Sequence, residues 1–205
     1  MPKGQEKEPR AWQRMLSGRR LNLLAPSPLD VEVTDIAHGL ARVARWNGQT
    51  IGEHAYSVAQ HSVLVLEIAR SLEPGLSAKH QLATLLHDAP EYVIGDMISP
   101  FKAVMGGNYK DVEKRLMDAI HMSFSLPADL PKSTNRLIKT ADRAAAYIEA
   151  TRLAGFSEEE AGQIFGKPEL SPLSDFHCVP LPTEEAQAQF LRCFNALQNM
   201  VTGNG

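Results

Sequence analysis

The sequence predicts a single all-α domain built as a helical bundle, and three observations carry that expectation. Apolar residues recur at three- and four-residue offsets in one segment after another. Ser caps precede these segments and Gly or Pro follows them. No stretch alternates convincingly as a strand would, and there is no internal repeat or low-complexity tract. The 205 residues suffice for one domain with a substantial core, and 43% hydrophobic with 22% charged residues is an ordinary globular composition.

In chain order, residues 1–10 read as a flexible tail and 11–205 as the domain. A short amphipathic piece around Trp12 to Leu16 stops at Gly18, and Arg19 to Val33, with Pro26 and Pro28, is a non-helical lead-in. A helix is expected from Thr34 or Asp35 to Arg45-Trp46, carrying Ile36, Ala37, Leu40, Ala41 and Ala44 and ended by the Asn47-Gly48 turn. Ser57-Val58-Ala59-Gln60 fits a capping box. In the helix it opens, Val58, His61, Val65, Ile68 and Leu72 form the core-facing stripe up to Pro74-Gly75.

Ser77 caps the next helix, which runs through Leu82, Leu85 and Leu86 into His87. Pro90 lacks an amide proton and clashes with the preceding turn, so this helix ends or kinks just after Asp88. Ser99-Pro100 suggests a short segment ending at Gly106-Gly107, followed by a helix from about Asn108 to Phe124. Ser133 is expected to cap a long helix ending near Gly155, with Leu137, Ile138, Ala141, Ala145 and Ile148 on one face. Ser157-Glu158-Glu159-Glu160 is a second capping box, Lys167 to Pro182 is irregular, and Thr183 to Met200 forms the last helix around Phe190, Leu191, Phe194 and Leu197.

Composition excludes several classes of function. A net charge of -3 without a dense Lys/Arg run argues against a nucleic-acid polymer or an anionic membrane surface as partner. Cys178 and Cys193 lack CxxC spacing, which disfavours a zinc ribbon or a disulfide framework and fits a reduced, cytoplasmic protein. Met1 to Arg10 lacks the apolar centre of a signal peptide, and no apolar run reaches membrane-spanning length.

The chemistry gathers in Leu86-His87-Asp88-Ala89-Pro90-Glu91-Tyr92-Val93-Ile94-Gly95-Asp96, where an apolar run suddenly carries an imidazole and three carboxylates. Such groups are buried only when paired, hydrogen-bonded or metal-bound. Two further helices bring His61 and Asp142 to apolar faces, the latter inside Ala141-Asp142-Arg143-Ala144-Ala145-Ala146. Two imidazoles and two carboxylates make a mixed nitrogen and oxygen set suited to a first-row divalent metal with open positions, and less suited to calcium.

The ordered set His61, His87-Asp88, Asp142 resembles the H...HD...D signature of the HD-domain metal-dependent phosphohydrolases, an all-helical superfamily. It is most similar to the bacterial 5'-deoxynucleotidase branch, through Arg45-Trp46, Ala59-Gln60-His61-Ser62, His87-Asp88-Ala89-Pro90-Glu91, Gly95-Asp96 and Ala141-Asp142, a motif core of about 45–153. The resemblance implies one divalent ion (Mn, Co, Fe, Ni, Zn or Mg) held by His61, His87, Asp88 and Asp142. It further implies Glu91 in proton transfer or water positioning, Asp96 orienting the nucleophilic water, and Arg45 holding phosphate. Spacing independently permits the Glu91 role, because Glu91 lies four residues from His87 and three from Asp88.

The expected activity is hydrolysis of a phosphate monoester, a (deoxy)nucleoside 5'-monophosphate. A nucleotide di- or triphosphate or alarmone hydrolase is the enzymatic alternative, and a non-catalytic metal-containing ligand sensor is the other. Trp46 is a substrate candidate beside Arg45, although an indole more often packs in a core than stacks on a base, and Arg42 or Arg143 competes with Arg45 for the phosphate role. His54 precedes His61 by seven residues, about 10.5 Å along a continuous helix, too far for both to bind one metal. It falls in the loop before Ser57 as a substrate candidate. His38, His80, His121 and His177 are read as structural. HD-domain enzymes with two metals recruit further histidines between the His-Asp pair and the last Asp, and with only His121 in that interval the resemblance implies one metal rather than two. Two features depart from the branch: Arg45 to His61 is one residue longer, and Ile94 stands where a polar residue would suit. The sections through Ala44 and after Arg152 fall outside the motif and are left for pocket walls or a homodimer interface.

Overall fold

A computed structural model describes residues 10–96, 107–170 and 172–203. Among these, eight α-helices and a two-stranded hairpin account for the regular structure, with three short 3-10 turns. They are β1 (Trp12–Arg14), β2 (Arg20–Asn22), α1 (Val33–Leu40), α2 (Val58–Leu72), α3 (Ala78–Leu85), α4 (Glu91–Ile94), α5 (Gly107–Ser123), α6 (Lys132–Arg152), α7 (Glu158–Phe165) and α8 (Thr183–Gly203). The all-α expectation is met.

Helix α2 is the axis of the bundle, buried on nearly every side, its Gln60, His61 and Ser62 included. Its Val58, Ala59, Val63 and Leu66 enter a core with α1, α3, α5 and α8, whereas Leu64, Val65, Ile68 and Ala69 enter a second core with α6 and the residues after it. His61 sits between these two faces, fully buried. Among the described residues no helix is long and apolar enough to cross a membrane.

Several boundaries differ from the sequence expectation. The piece around Trp12 is a strand: Trp12, Gln13 and Arg14 pair antiparallel with Asn22, Leu21 and Arg20. Three-residue strands are too short for alternation to register, and only Leu21 is buried. Arg10, Arg14 and Arg20 surround the Trp12 ring at 4.9, 5.6 and 4.2 Å. The hairpin is tied to α1 by Ser17, whose amide and hydroxyl donate to the buried Asp35 carboxylate at 2.9 and 2.5 Å.

Helix α1 stops at Leu40 rather than Arg45-Trp46 because the chain beyond it pairs elsewhere. Val58 donates to the Val43 carbonyl at 3.0 Å and Arg45 to the Tyr56 carbonyl at 2.8 Å, so this stretch lies extended beside the start of α2. Trp46 and Asn47 then adopt left-handed backbone conformations (φ 56° and 50°) in a 3-10 turn. The Ser57 box is half formed: Ser57 Oγ accepts from the Gln60 amide, but the Gln60 side chain instead donates to Val179 and accepts from Leu181. It thereby ties the irregular crossing segment to α2.

Helix α3 ends at Leu85, three residues before Asp88, because the Pro90 ring would meet the Leu86 carbonyl of a continued helix. Tight turns carry the chain through His87 and Asp88, with Ala89 donating to Leu86 at 2.9 Å and Glu91 to Asp88 at 3.0 Å. Pro90 then opens α4, and Gly95 (φ 76°) closes it. The N-cap of α6 is Pro131, with Ser133 inside the helix, whereas the Ser157-Glu160 box of α7 forms in both directions. The segment expected at Ser99-Pro100 lies outside the described residues.

One contact fixes α4. A Cβ on Gly39 of α1 would lie 2.7 Å from Tyr92 Cβ and 2.8 Å from its carbonyl oxygen, so only glycine lets the two helices meet this closely. Gly39→Ala should therefore cost about 1–3 kcal/mol through overpacking, measured as a lower denaturation midpoint, and should displace the helix that starts with Glu91.

Candidate active site

Four of the sequence-predicted residues converge, brought by α2, the turn after α3, and α6. His61 Nε2 lies 3.4 Å from Asp88 Oδ2 and 3.2 Å from Asp142 Oδ1, and His87 Nε2 lies 3.2 Å from Asp88 Oδ2. The two imidazole rings are 5.3 Å apart, centre to centre. One ligand atom each from His61, His87 and Asp88 falls within 4.8 Å of the others. The side chains of His61 and His87 (0% and 8% exposed) form the floor, and Asp88 and Asp142 (26% and 41%) form the open side.

The tautomers follow from the partners. His87 Nδ1 is 3.0 Å from the Thr84 carbonyl, which can only accept, so Nδ1 carries the proton and Nε2 offers a lone pair. His61 Nδ1 is 2.5 Å from Glu149 Oε1, and the same logic leaves its Nε2 facing Asp88 and Asp142. Both Nε2 atoms are buried without a hydrogen-bond partner of good geometry. Lone pairs crowded against carboxylates need something positive between them, a proton or a cation. The donor set therefore fits a divalent ion of the nitrogen- and oxygen-accepting kind.

Electrostatics agree. Burial and the Arg45 charge disfavour a His61 cation, but Glu149, Asp142 and Asp88 outweigh them and raise its pKa well above the ordinary imidazole value. Burial alone would push the Asp88 carboxyl up, yet His87 and His61 hold it well below the usual carboxylate range. Asp142 is lowered against the same burial penalty, chiefly by His61.

Beside this cluster lies Arg45, largely buried with its side chain 14% exposed. Its Nε and Nη2 meet Glu149 Oε2 at 3.2 Å each, and its Nη1 meets Asp96 Oδ2 at 3.3 Å. Burial works against its charge, but Glu149, then Asp96, Asp88 and Asp142, raise its pKa further and keep it cationic. Arg42 is exposed and bonds the His38 carbonyl and Gln187, and Arg143 is exposed on α6, which leaves Arg45 as the arginine at the cluster. Trp46 donates its indole N–H to Glu149 at 2.9 Å and packs on Phe156 and Phe165 at 5.7 and 5.8 Å. Glu91 is buried at the start of α4. His54 is half-buried in the loop before α2 and is not among the residues drawn into the cluster.

Glu149 is the residue that sequence reasoning missed. It is fully buried on α6 and bonds His61, Arg45 and Trp46 together. The signal was present: an acid inside Ala144-Ala145-Ala146-Tyr147-Ile148-Glu149-Ala150, two helical turns after Asp142 and therefore on the same face. A cleft of about 390 Å³ leads away from His87, lined by Ala83, Met117, His121, Asn135 and Ile138 among others. His87 itself lines the cleft, and Ile138 lies one turn of α6 before Asp142, so the cleft begins at the cluster.

Residues 35–163 match the family described as 5'-deoxynucleotidase YfbR-like. An uncharacterised protein of Rhodobacter capsulatus is 53% identical over 194 residues, covering 95% of this chain and 99% of that relative. The uncharacterised Escherichia coli (strain K12) protein YfdR is 27% identical over 172 residues, covering 83% of this chain and 86% of its own length. The family match spans more than half of the chain and includes every residue of the cluster, and the helical fold is the one the HD-domain superfamily requires: the chain belongs to the YfbR-like 5'-deoxynucleotidase family.

Proposed function

We propose that this protein is a divalent-metal-dependent phosphomonoesterase acting on a (deoxy)nucleoside 5'-monophosphate, with His61, His87, Asp88 and Asp142 holding the ion. Family membership supports a nucleotide phosphohydrolase in general. The observation that carries the finer reading is the convergence of two buried ring nitrogens, His61 Nε2 and His87 Nε2, with the carboxylates of Asp88 and Asp142. Five carboxylates (Asp88, Glu91, Asp96, Asp142, Glu149) against one guanidinium would repel a phosphate, so a resident cation is also what makes an anionic substrate acceptable.

The ion, when bound, would lower the pKa of a water and neutralise charge on phosphoryl oxygens. The chain's own residues do the remainder. Arg45 donates one N–H to Glu149 and one to Asp96, with Nη2 in ion-pair contact with Glu149, which leaves further N–H donors for phosphate oxygens. Glu91, close in sequence to both His87 and Asp88, exchanges a proton with the attacking water or the leaving alcohol, a step worth roughly 10²–10⁴ in rate. The Asp96 pairing with Arg45 supports a role for Asp96 in aiming that guanidinium as well as the water. The cleft beside His87 is within the size range of small-molecule sites and would take the nucleoside.

Purified protein loaded with Mn(II) or Co(II) is expected to release inorganic phosphate from deoxynucleoside 5'-monophosphates and to stop when a chelator is added. Release of no phosphate from any nucleotide in a broad panel overturns the proposal. Pyrophosphate or triphosphate appearing from nucleoside triphosphates replaces the monoesterase reading with the polyphosphate one.

A further inference from the structure

We infer that Glu149 is a positioning residue that couples the metal ligand His61 to the phosphate-holding Arg45, so that one buried carboxylate sets both halves of the site. The inference rests on the proposed roles of His61 and Arg45. A fully buried carboxylate needs a full set of partners, and Glu149 divides its two oxygens between two tasks. Oε1 takes the His61 Nδ1 proton at 2.5 Å, which fixes the tautomer with Nε2 free and makes that nitrogen a stronger donor. Oε2 accepts from Arg45 Nε–H and the Trp46 indole N–H and pairs ionically with Arg45 Nη2, which fixes the guanidinium plane and leaves its Nη1 side toward Asp96.

The local backbone serves the same arrangement. Trp46 and Asn47 hold left-handed φ values of 56° and 50°, unusual for residues with side chains, and this turn carries the Trp46 indole N–H that meets Oε2. A simple core ion pair would need only Arg45. The additional bond to His61 directs Glu149 at the site.

Glu149→Gln makes the inference testable, because an amide has a single acceptor oxygen. That oxygen is expected to stay with the Arg45 Nε–H and Trp46 indole N–H groups, turning the amide NH₂ toward His61. Nδ1 must then accept, the proton moves to Nε2, and the ligand lone pair is lost. The Mn(II) dissociation constant, measured by calorimetry on folded protein, should rise about 10–100-fold. Glu149→Asp keeps the charge but is one methylene shorter, and should recover part of that affinity without matching wild type. With Mn(II) saturating, the remaining defect of Glu149→Asp should fall on KM rather than kcat, because Arg45 is the group left displaced.

A folded Glu149→Gln protein with wild-type Mn(II) affinity overturns the inference, as does a lowered melting temperature in both variants with unchanged affinity. Should Glu149→Gln fail to fold, Glu149→Asp decides, and wild-type affinity with wild-type KM overturns it. A wild-type protein that binds no Mn(II) is a different failure and removes the underlying reading instead.

Discussion

Replacing His87 with alanine is expected to remove metal binding and phosphate release together while leaving the fold nearly intact. Its ring contributes a buried Nε2 lone pair 3.2 Å from Asp88 and a single Nδ1 bond to the Thr84 carbonyl, so little beyond the cluster depends on it. Loss of a direct ligand should exceed the roughly 10–100-fold cost of losing an outer-shell partner. Elemental analysis after dialysis and a phosphate-release assay on the same sample would measure both effects. His61→Ala should lose the metal equally but also melt earlier, since it strips Glu149 of its shortest bond.

The same cluster predicts a pH dependence. In the metal-free protein the raised His61 pKa means that a proton occupies the space an ion would take. That proton stabilises the metal-free fold below the ordinary imidazole value of about 6.5, and the contribution disappears as pH rises through the folded value. A cation has to displace the proton, so metal affinity should fall as the solution is acidified and increase with rising pH.

The second large effect is expected at Glu91. Glu91→Gln keeps the size and burial of the side chain and removes its capacity to exchange a proton, so metal content should stay at the wild-type level while kcat drops about 10²–10⁴-fold. Turnover unchanged from wild type would remove Glu91 from the chemistry. Equal metal content with no turnover in either protein would favour the ligand-sensor alternative, in which the ion is structural.

The chemistry was more legible in the sequence than the element boundaries were. His61, His87, Asp88 and Asp142 could be found because ionisable residues on apolar helical faces are costly enough to need an explanation, and their order carries a family signature. The helices themselves followed from periodicity and caps, and α7 opens on the Ser157 box as expected. What sequence could not supply was tertiary competition for backbone groups. Residues 43–45 have good helical spacing, but they bond to 56–58 and leave the helix at Leu40. Gln60 could reach back to its cap, but Val179 and Leu181 claim it. Glu149 escaped although it shares an apolar helical face with Asp142, because its partners His61, Arg45 and Trp46 are brought to it across space rather than along the sequence.

The proposed function requires His61, His87, Asp88 and Asp142 to hold one ion together. Anomalous diffraction from crystals of the Mn(II)-loaded protein tests it most directly. A single strong peak is expected at bonding distance from His61 Nε2, His87 Nε2, Asp88 and Asp142. A peak elsewhere on the protein, or none in that cluster at saturating Mn(II), would contradict it.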